Sequence, residues 1–156
     1  MSPRKGQLFE LRPAWFGAAL GGDDEYVRVD SLYTGYWNRG PVGFALCLRA
    51  NWIEDGAPFY AKPFISLRGV PVVAFLGQRV VSAEPEIDWN VSSRWTLLAF
   101  AGAGRASNEV DRDVYSGGAG FRYLLARILG LRAGLDLAWS SGGSHAFYIV
   151  VGSAWK

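Results

Sequence analysis

The sequence contains very few of the residues from which catalytic and metal sites are usually built. It has one cysteine, Cys47, and one histidine, His145, among 156 residues. A single cysteine forms no internal disulfide and no thiolate zinc site, and a single histidine supports no histidine-based metal site. Cys47 lies among apolar residues, which predicts a small buried side chain, whereas His145 follows Gly142, Gly143 and Ser144, which predicts a solvated loop. No glycine-rich loop follows a strand and opens a helix, so we expect no nucleotide binding. No Ser-His-Asp set can be built around the single His145, and we expect no enzymatic activity and no cofactor.

A strong charge of one sign and a long apolar run are absent as well. The 16 lysine and arginine residues are offset by 14 acidic residues, for a net charge of +2, and their mixture along the chain provides no basic patch for a nucleic acid. Although 50% of the residues are hydrophobic, no stretch reaches the roughly 18 apolar residues of a membrane helix. The first residues have no apolar segment behind them and do not resemble a signal peptide, so we expect either a removed export signal or a piece of a longer protein. If this chain enters a membrane, it does so with strands.

The sequence does contain alternating apolar and polar residues from end to end, interrupted by turn residues. This pattern predicts eight antiparallel strands of about ten residues each. The expected strands cover residues 7–20, 26–37, 42–53, 80–91, 95–104, 115–127, 131–139 and 146–155. We expect residues 1–6 to be a disordered N-terminal segment and residues 7–156 to form one domain, with a long loop over residues 54–79.

The tryptophans distinguish between the two kinds of closed sheet that alternation allows. In a soluble lipocalin-like barrel the apolar faces point inward, whereas in a transmembrane barrel they face lipid and polar side chains line the interior. Trp15 is expected at mid-strand, but the other tryptophans fall on the apolar face near strand ends: Trp37, Trp89, Trp95 and Trp155 at the end with short turns, and Trp52 and Trp139 at the opposite end. Indole favours the lipid–water boundary. The pattern therefore predicts an aromatic interface girdle on an all-β, antiparallel, up-and-down transmembrane β-barrel, with a soluble binding barrel as the alternative.

Charged residues are predicted to line the interior of this barrel. Glu84, Glu86 and Asp88 alternate with apolar residues along one strand, so three carboxylates share its polar face. Further charged residues are expected on the same interior surface: Arg49, Arg68, Arg122, Arg132 and Asp136. Opposite charges in such numbers favour a charge network that holds a polar lumen together. A Ca²⁺ or Mg²⁺ site and a catalytic carboxylate are the alternatives, because clustered carboxylates bind hard cations.

Four motifs occur in an order that resembles a known family. The long loop contains Leu67, Arg68 and Gly69, residues 98–104 read LAFAGAG, and residues 117–123 form a glycine-rich strand. The chain then ends in a stretch with an aromatic residue near its terminus, which includes Phe147, Tyr148, Gly152 and Trp155. Together these motifs resemble the C-terminal half of the barrel of the bacterial surface antigen family, the BamA- and TamA-like outer-membrane proteins, over residues 7–155.

The resemblance implies a location, a role and partners. It implies an outer-membrane β-barrel in the bacterial cell outer membrane, in contact with the lipid bilayer and with client outer-membrane proteins during their assembly or translocation. In that family the Leu67, Arg68 and Gly69 motif corresponds to a loop inside the lumen, and the C-terminal stretch corresponds to an assembly signal. A client-free structural or pore-like barrel of the same architecture is the alternative.

The sequence also departs from the family pattern. Gly102 stands where the family strand motif has an aspartate, so the usual partner of Arg68 is missing. An arginine away from bulk water requires acceptors, and we expect Glu84 or Glu86 to supply them; an Arg68 hydrated by lumen water is the alternative. Lys156 follows the terminal Trp155.

The strand number is the largest departure, because the family barrel has about twice as many strands and is usually preceded by periplasmic domains. The interior of a barrel of about eight strands has room for its own side chains and little more. Either the long loop therefore stays outside a small barrel, or this chain is half of a roughly sixteen-stranded barrel completed by self-association or by a second chain. Pro13 in the first strand is compatible with a seam.

Overall fold

The computed structural model is a single antiparallel sheet of eight strands in up-and-down order, and it describes residues 5–17, 24–72, 74–108, 111–126 and 131–152. The strands are β1 (Lys5–Phe16), β2 (Tyr26–Arg39), β3 (Val42–Ile53), β4 (Arg79–Asn90), β5 (Trp95–Ser107), β6 (Arg112–Ala126), β7 (Leu131–Ser140) and β8 (His145–Val151). A short 3-10 turn covers Phe59–Ala61 in the connection between β3 and β4. Among these residues no helix has the length and hydropathy of a membrane span.

The sheet is open. Each strand pairs with the next along the chain, and within the described residues β1 pairs only with β2 and β8 only with β7. The all-β, antiparallel, up-and-down prediction is therefore confirmed, while the structure has two free strand edges where a closed barrel would have none.

Several strand limits differ from the predicted ones, and each difference has a local cause. β5 and β6 extend into the polar stretch that was expected to be a loop, because Arg105 and Asp113 face each other across the two strands and form a two-point ion pair at 2.6 and 2.8 Å. His145 begins β8 opposite Trp139 instead of lying in a loop. β1 ends at Phe16, and Gly17 already lies outside it; residues 18–20 of the expected strand lie outside the described residues. The long loop covers residues 54–78, because Arg79 already pairs with β5.

The two faces of the sheet have inverted polarity compared with a water-soluble sheet. One face, called the outer face, is apolar and exposed, with Phe9 at 66% and Ile149 at 72% of full exposure. Other exposed apolar residues of this face are Leu11, Phe44, Leu48, Ile87, Leu97, Tyr115, Leu137, Phe147 and Val151. The opposite face, called the inner face, contains the buried charged residues Glu84, Glu86, Arg122 and Asp136. The alternation of the sequence is thus preserved, but the side that is covered is the polar one.

The long loop covers the inner face and contributes the largest apolar cluster there. Ile65, Leu67 and Val70 of the loop pack with residues of three strands, namely Val80, Ala106 and Val114. Ile65 is 1% exposed and Leu67 is 7% exposed. Burial of an aliphatic side chain stabilises a fold by about 1.5–3 kcal/mol, so these residues hold the loop against the sheet in addition to its polar contacts.

Glycines on the inner face leave space for long side chains on the neighbouring strand. Gly118 lies opposite Phe100, and a Cβ at Gly118 would lie 2.2 Å from the phenyl ring. Gly134 lies opposite Arg122, and a Cβ there would lie 2.7 Å from the arginine side chain. The glycine-rich composition of β6 and β7 therefore allows the charged and aromatic side chains to lie flat on the inner face.

Candidate functional site

The candidate site is built around Arg68 at the turn of the long loop. The N–H of Val70 donates to the carbonyl oxygen of Leu67 at 3.2 Å, and Gly69 has a φ of 84°. A positive φ at the third residue of a four-residue turn favours glycine, which explains the Arg-Gly pair in the sequence. This tight turn directs Arg68 toward β4.

Arg68 contacts two carboxylates of β4 through separate groups. Its Nε lies 2.9 Å from Glu84 Oε1, and its backbone N–H donates to Glu84 Oε2 at 3.0 Å. Its Nη2 lies 2.7 Å from Glu86 Oε2. Both glutamates are 6% exposed. The sequence analysis expects Glu84 or Glu86 as the partner of Arg68, and the structure places both of them against it.

A second arginine extends the contacts across the sheet. Arg122 of β6 forms a two-point ion pair with Asp136 of β7, with distances of 2.5 and 2.8 Å. Asp136 is 1% exposed, and its Oδ2 also lies 3.5 Å from Nη1 of Arg68. We call Arg68, Glu84, Glu86, Arg122 and Asp136 the Arg68 network. It contains two positive and three negative charges on four different segments of the chain.

Two further contacts of the loop turn involve aromatic residues that the sequence analysis did not assign to it. The guanidinium carbon of Arg68 lies 3.5 Å from the centre of the Phe100 ring, a cation–π arrangement. The hydroxyl oxygen of Tyr148 on β8 accepts a hydrogen bond from the N–H of Gly69 at 2.9 Å. The available signal for Phe100 was that it shares one side of its strand with the polar Thr96. Tyr148 was expected only as part of a C-terminal assembly signal.

The electrostatic environment keeps Arg68 charged. Burial by itself lowers the pKa of its guanidinium, but the adjoining carboxylates of Glu84 and Glu86 more than offset this, so the pKa lies above its ordinary value. A charged arginine with oriented carboxylates around it makes stronger hydrogen bonds than neutral partners do. The turn is therefore held to the sheet by charge and hydrogen bonding together.

The remaining predicted charged residues lie outside the Arg68 network. Arg49 donates to the carbonyl oxygen of Ser66 at 3.1 Å, so it contacts the loop backbone. Arg132 donates to Thr96 Oγ1 at 3.4 Å, and Thr96 in turn donates to Asn90 at 2.8 Å. Asp88 lies opposite Gly43, where a Cβ would lie 2.1 Å from its Oδ2.

Gly102 also has an explanation in the structure. A Cβ built on Gly102 would lie 3.0 Å from Leu67 and 2.5 Å from the hydroxyl of Ser116. The space that a larger residue would take is thus occupied by Leu67, the residue before Arg68. Because Glu84, Glu86 and Asp136 surround the guanidinium, the site has its acceptors without an aspartate at position 102.

The predicted girdle tryptophans have exposed or partly exposed side chains near strand ends. Trp37, Trp89 and Trp95 lie at the end with the short turns, and Trp52 and Trp139 at the opposite end. Trp15 was expected at mid-strand, but β1 ends one residue later, which places Trp15 at the same end as Trp52. Trp155 lies outside the described residues, as does the last part of the expected assembly signal beyond Gly152.

The chemistry available at the Arg68 network is ion pairing. Each of its three carboxylates lies within ion-pair distance of an arginine. Among the residues that the structure describes, no group of three or more histidine, cysteine, aspartate or glutamate side chains is arranged to hold a metal ion. Comparison with protein-family models and with curated proteins yields no match to this sequence.

Proposed function

We propose that this chain is a membrane-integrated part of a β-barrel in the bacterial outer membrane, with the Arg68 network fixing its long loop on the lumen side. The observation that carries the proposal is the inverted polarity of the sheet. The outer face is apolar and exposed while the inner face buries charges, and this arrangement is favourable where lipid surrounds the outer face. A lipocalin-like soluble barrel would place its apolar face inside instead.

The spacing of the aromatic residues supports the same environment. On β1, Lys5 lies opposite Trp37, and Trp15 lies ten residues further along the strand. At about 3.3 Å per residue these positions are roughly 33 Å apart along the strand, or about 25 Å along the membrane normal for a strand tilted by about 40°. This is the height of the apolar band of an outer-membrane barrel.

Within this architecture we propose a role in the assembly or translocation of other outer-membrane proteins. The proposal rests on the resemblance of the sequence motifs, and a seam beside β1 and β8 is the place where an incoming client strand would find backbone donors and acceptors. The second candidate is a client-free structural or pore-like barrel. It is favoured by the long loop, which covers the inner face from β2 to β8 and is held there by buried ion pairs.

Membrane integration is tested by reconstitution into lipid vesicles. We expect resistance to alkaline extraction, heat-dependent migration in SDS, and quenching of tryptophan fluorescence by lipids brominated near the headgroup end of the acyl chain. The last effect should be weaker with bromine at the chain terminus, because the tryptophans lie at the two interfaces. Monodisperse protein in buffer without detergent would contradict the proposal.

The assembly role is tested separately from integration. An unfolded outer-membrane protein is added to vesicles that contain this chain and to empty vesicles of the same lipid. Faster folding in the presence of this chain is expected if it acts on clients. Equal folding rates, with the chain inserted in the vesicles, would contradict the assembly role and favour the client-free structural or pore-like barrel.

A further inference from the structure

We infer that the two free edges pair with those of a second copy of this chain, β8 of each copy against β1 of the other, to form one closed barrel of sixteen strands. The inference rests on the proposed function, because a bilayer has no water to satisfy open strand edges. The proposed function makes this chain one part of a barrel, and the inference identifies a second copy of the chain as the other part.

The occupied inner face argues against closure by one chain. The long loop contacts strands from β2 to β8, through Arg28 Nη1 and Ala61 O at 3.2 Å at one side and through Gly69 and Tyr148 at the other. Between them, a Cβ at Gly104 would lie 2.7 Å from Ile65, so the loop lies directly on the strand backbone. The interior of a barrel of about eight strands is filled by the side chains of those strands. This loop therefore requires a wider lumen than one copy encloses.

The free edge of β1 can be assigned residue by residue. The N–H of Glu54 donates to the carbonyl oxygen of Val27 at 3.0 Å, so the backbone polar groups of Val27, and by alternation those of Val29, face β3. Pro13, opposite Val29, therefore has its own backbone groups on the side away from β2. The missing N–H of this proline thus falls on the free edge, where it leaves no gap in the β1–β2 ladder.

The free edge of β8 follows from the same reasoning. The N–H of Gly152 donates to the carbonyl oxygen of Arg132 at 2.7 Å, so alternate residues before Gly152 face β7. The backbone groups of Phe147, Ile149 and Val151 consequently face the open edge, and their side chains lie on the outer face.

The two edges match in direction and in side-chain face. With eight strands in up-and-down order, β1 and β8 run in opposite directions. Rotation of a second copy by half a turn about the barrel axis therefore places β8 antiparallel to β1 of the partner. When Ile149 lies opposite Leu11, outward residues lie opposite outward residues and edge groups face edge groups. Pro13 then offers its carbonyl oxygen to the seam but no N–H. The apolar outer faces of the two copies then form one continuous band.

The test is disulfide cross-linking in vesicles, in a Cys47→Ala background that removes the single native cysteine. Ile149→Cys is combined in one chain with Phe9→Cys, Leu11→Cys or Pro13→Cys. These three pairs sample the registers in which outward-facing residues of β8 and β1 lie opposite each other near the middle of the seam. We expect one combination to yield a covalent pair of chains in high amount under mild oxidation. A mixture of chains with Ile149→Cys alone and chains with the matching β1 cysteine alone should form the same link.

The control places the β1 cysteine on the inner face, with Ile149→Cys and Glu10→Cys. These side chains lie on opposite faces, so we expect at most one-tenth of the cross-linking of the best pair. A disulfide within a single chain, a ladder of more than two chains, or no link in any register would overturn the inference. Resistance to alkaline extraction, measured on the same samples, separates the two proposals: inserted protein with any of these results contradicts only the second copy, whereas protein that does not insert contradicts both.

Discussion

At the residue scale, the inner face depends on an arginine that several segments hold in place. Arg68 has ion pairs to Glu84, Glu86 and Asp136 and lies over the ring of Phe100. Removing one partner from a buried charge group is costlier than the pair itself is favourable, because the remaining charges stay buried without compensation. Loss of Arg68 would leave Asp136 with Arg122 but would remove the arginine that contacts Glu84 and Glu86.

Arg68→Ala is therefore expected to destabilise the folded protein by about 3–5 kcal/mol, measured by urea unfolding in lipid vesicles. Arg68→Lys should recover part of this loss, since lysine keeps the charge but not the planar fork of donors. The control is Arg12→Ala, because Arg12 pairs with Glu10 on a part of the inner face that the loop leaves open, with its side chain 75% exposed. Exposed pairs contribute about 0–1 kcal/mol, and equal effects of Arg68→Ala and Arg12→Ala would contradict the role of the network.

Gly102→Ala tests whether the loop turn packs against β5. The added Cβ would lie 3.0 Å from Leu67 and 2.5 Å from Ser116, so we expect a loss of about 1–3 kcal/mol by overpacking. Gly117→Ala is the matched control, since its nearest contact would be an ordinary 3.6 Å. Urea unfolding of both variants provides the comparison. A Gly102→Ala variant as stable as Gly117→Ala would show that the loop leaves this space open.

At the element scale, the strands have two different neighbours, one on each face. Their inner residues pack against the long loop, while their outer residues are exposed, as Leu48 and Ile87 are. A strand with this distribution is unfavourable in water, because its apolar residues remain solvated. The same strand is favourable when lipid covers the outer face.

Leu48→Lys measures the environment of the outer face. Leu48 lies at the middle of β3 with 39% of its surface exposed, and in water such a substitution usually changes stability by less than about 0.5 kcal/mol. In a bilayer, a lysine at the midplane costs about 2–4 kcal/mol, and we expect this larger loss in vesicles. The control is Val72→Lys in the long loop, where Val72 is 68% exposed. Equal, small effects of both substitutions would contradict a lipid-facing β3.

At the scale of the whole molecule, the open edges and the covered inner face determine how a barrel can close. The detergent-corrected mass of the folded protein should equal two chains of 17.1 kDa each, measured by sedimentation equilibrium in density-matched detergent. Ile149→Pro, which removes an edge donor from β8, should shift this mass toward one chain, whereas Val72→Pro should not. A mass of one chain for the unsubstituted protein would contradict the paired barrel.

The alternation of the sequence by itself determined the strand class, the number of strands and the division of residues between two faces, because the side-chain period of a strand is independent of its neighbours. The tertiary structure decided that the long loop covers the polar face, that both Glu84 and Glu86 reach Arg68 with Asp136 beside them, and that Phe100, Tyr148 and Leu67 complete the site. These contacts join residues far apart in the chain, such as Gly69 and Tyr148, and depend on strand register and on the path of a loop. Neither the register nor the path of the loop is encoded in local periodicity, so these contacts could not be predicted from the sequence.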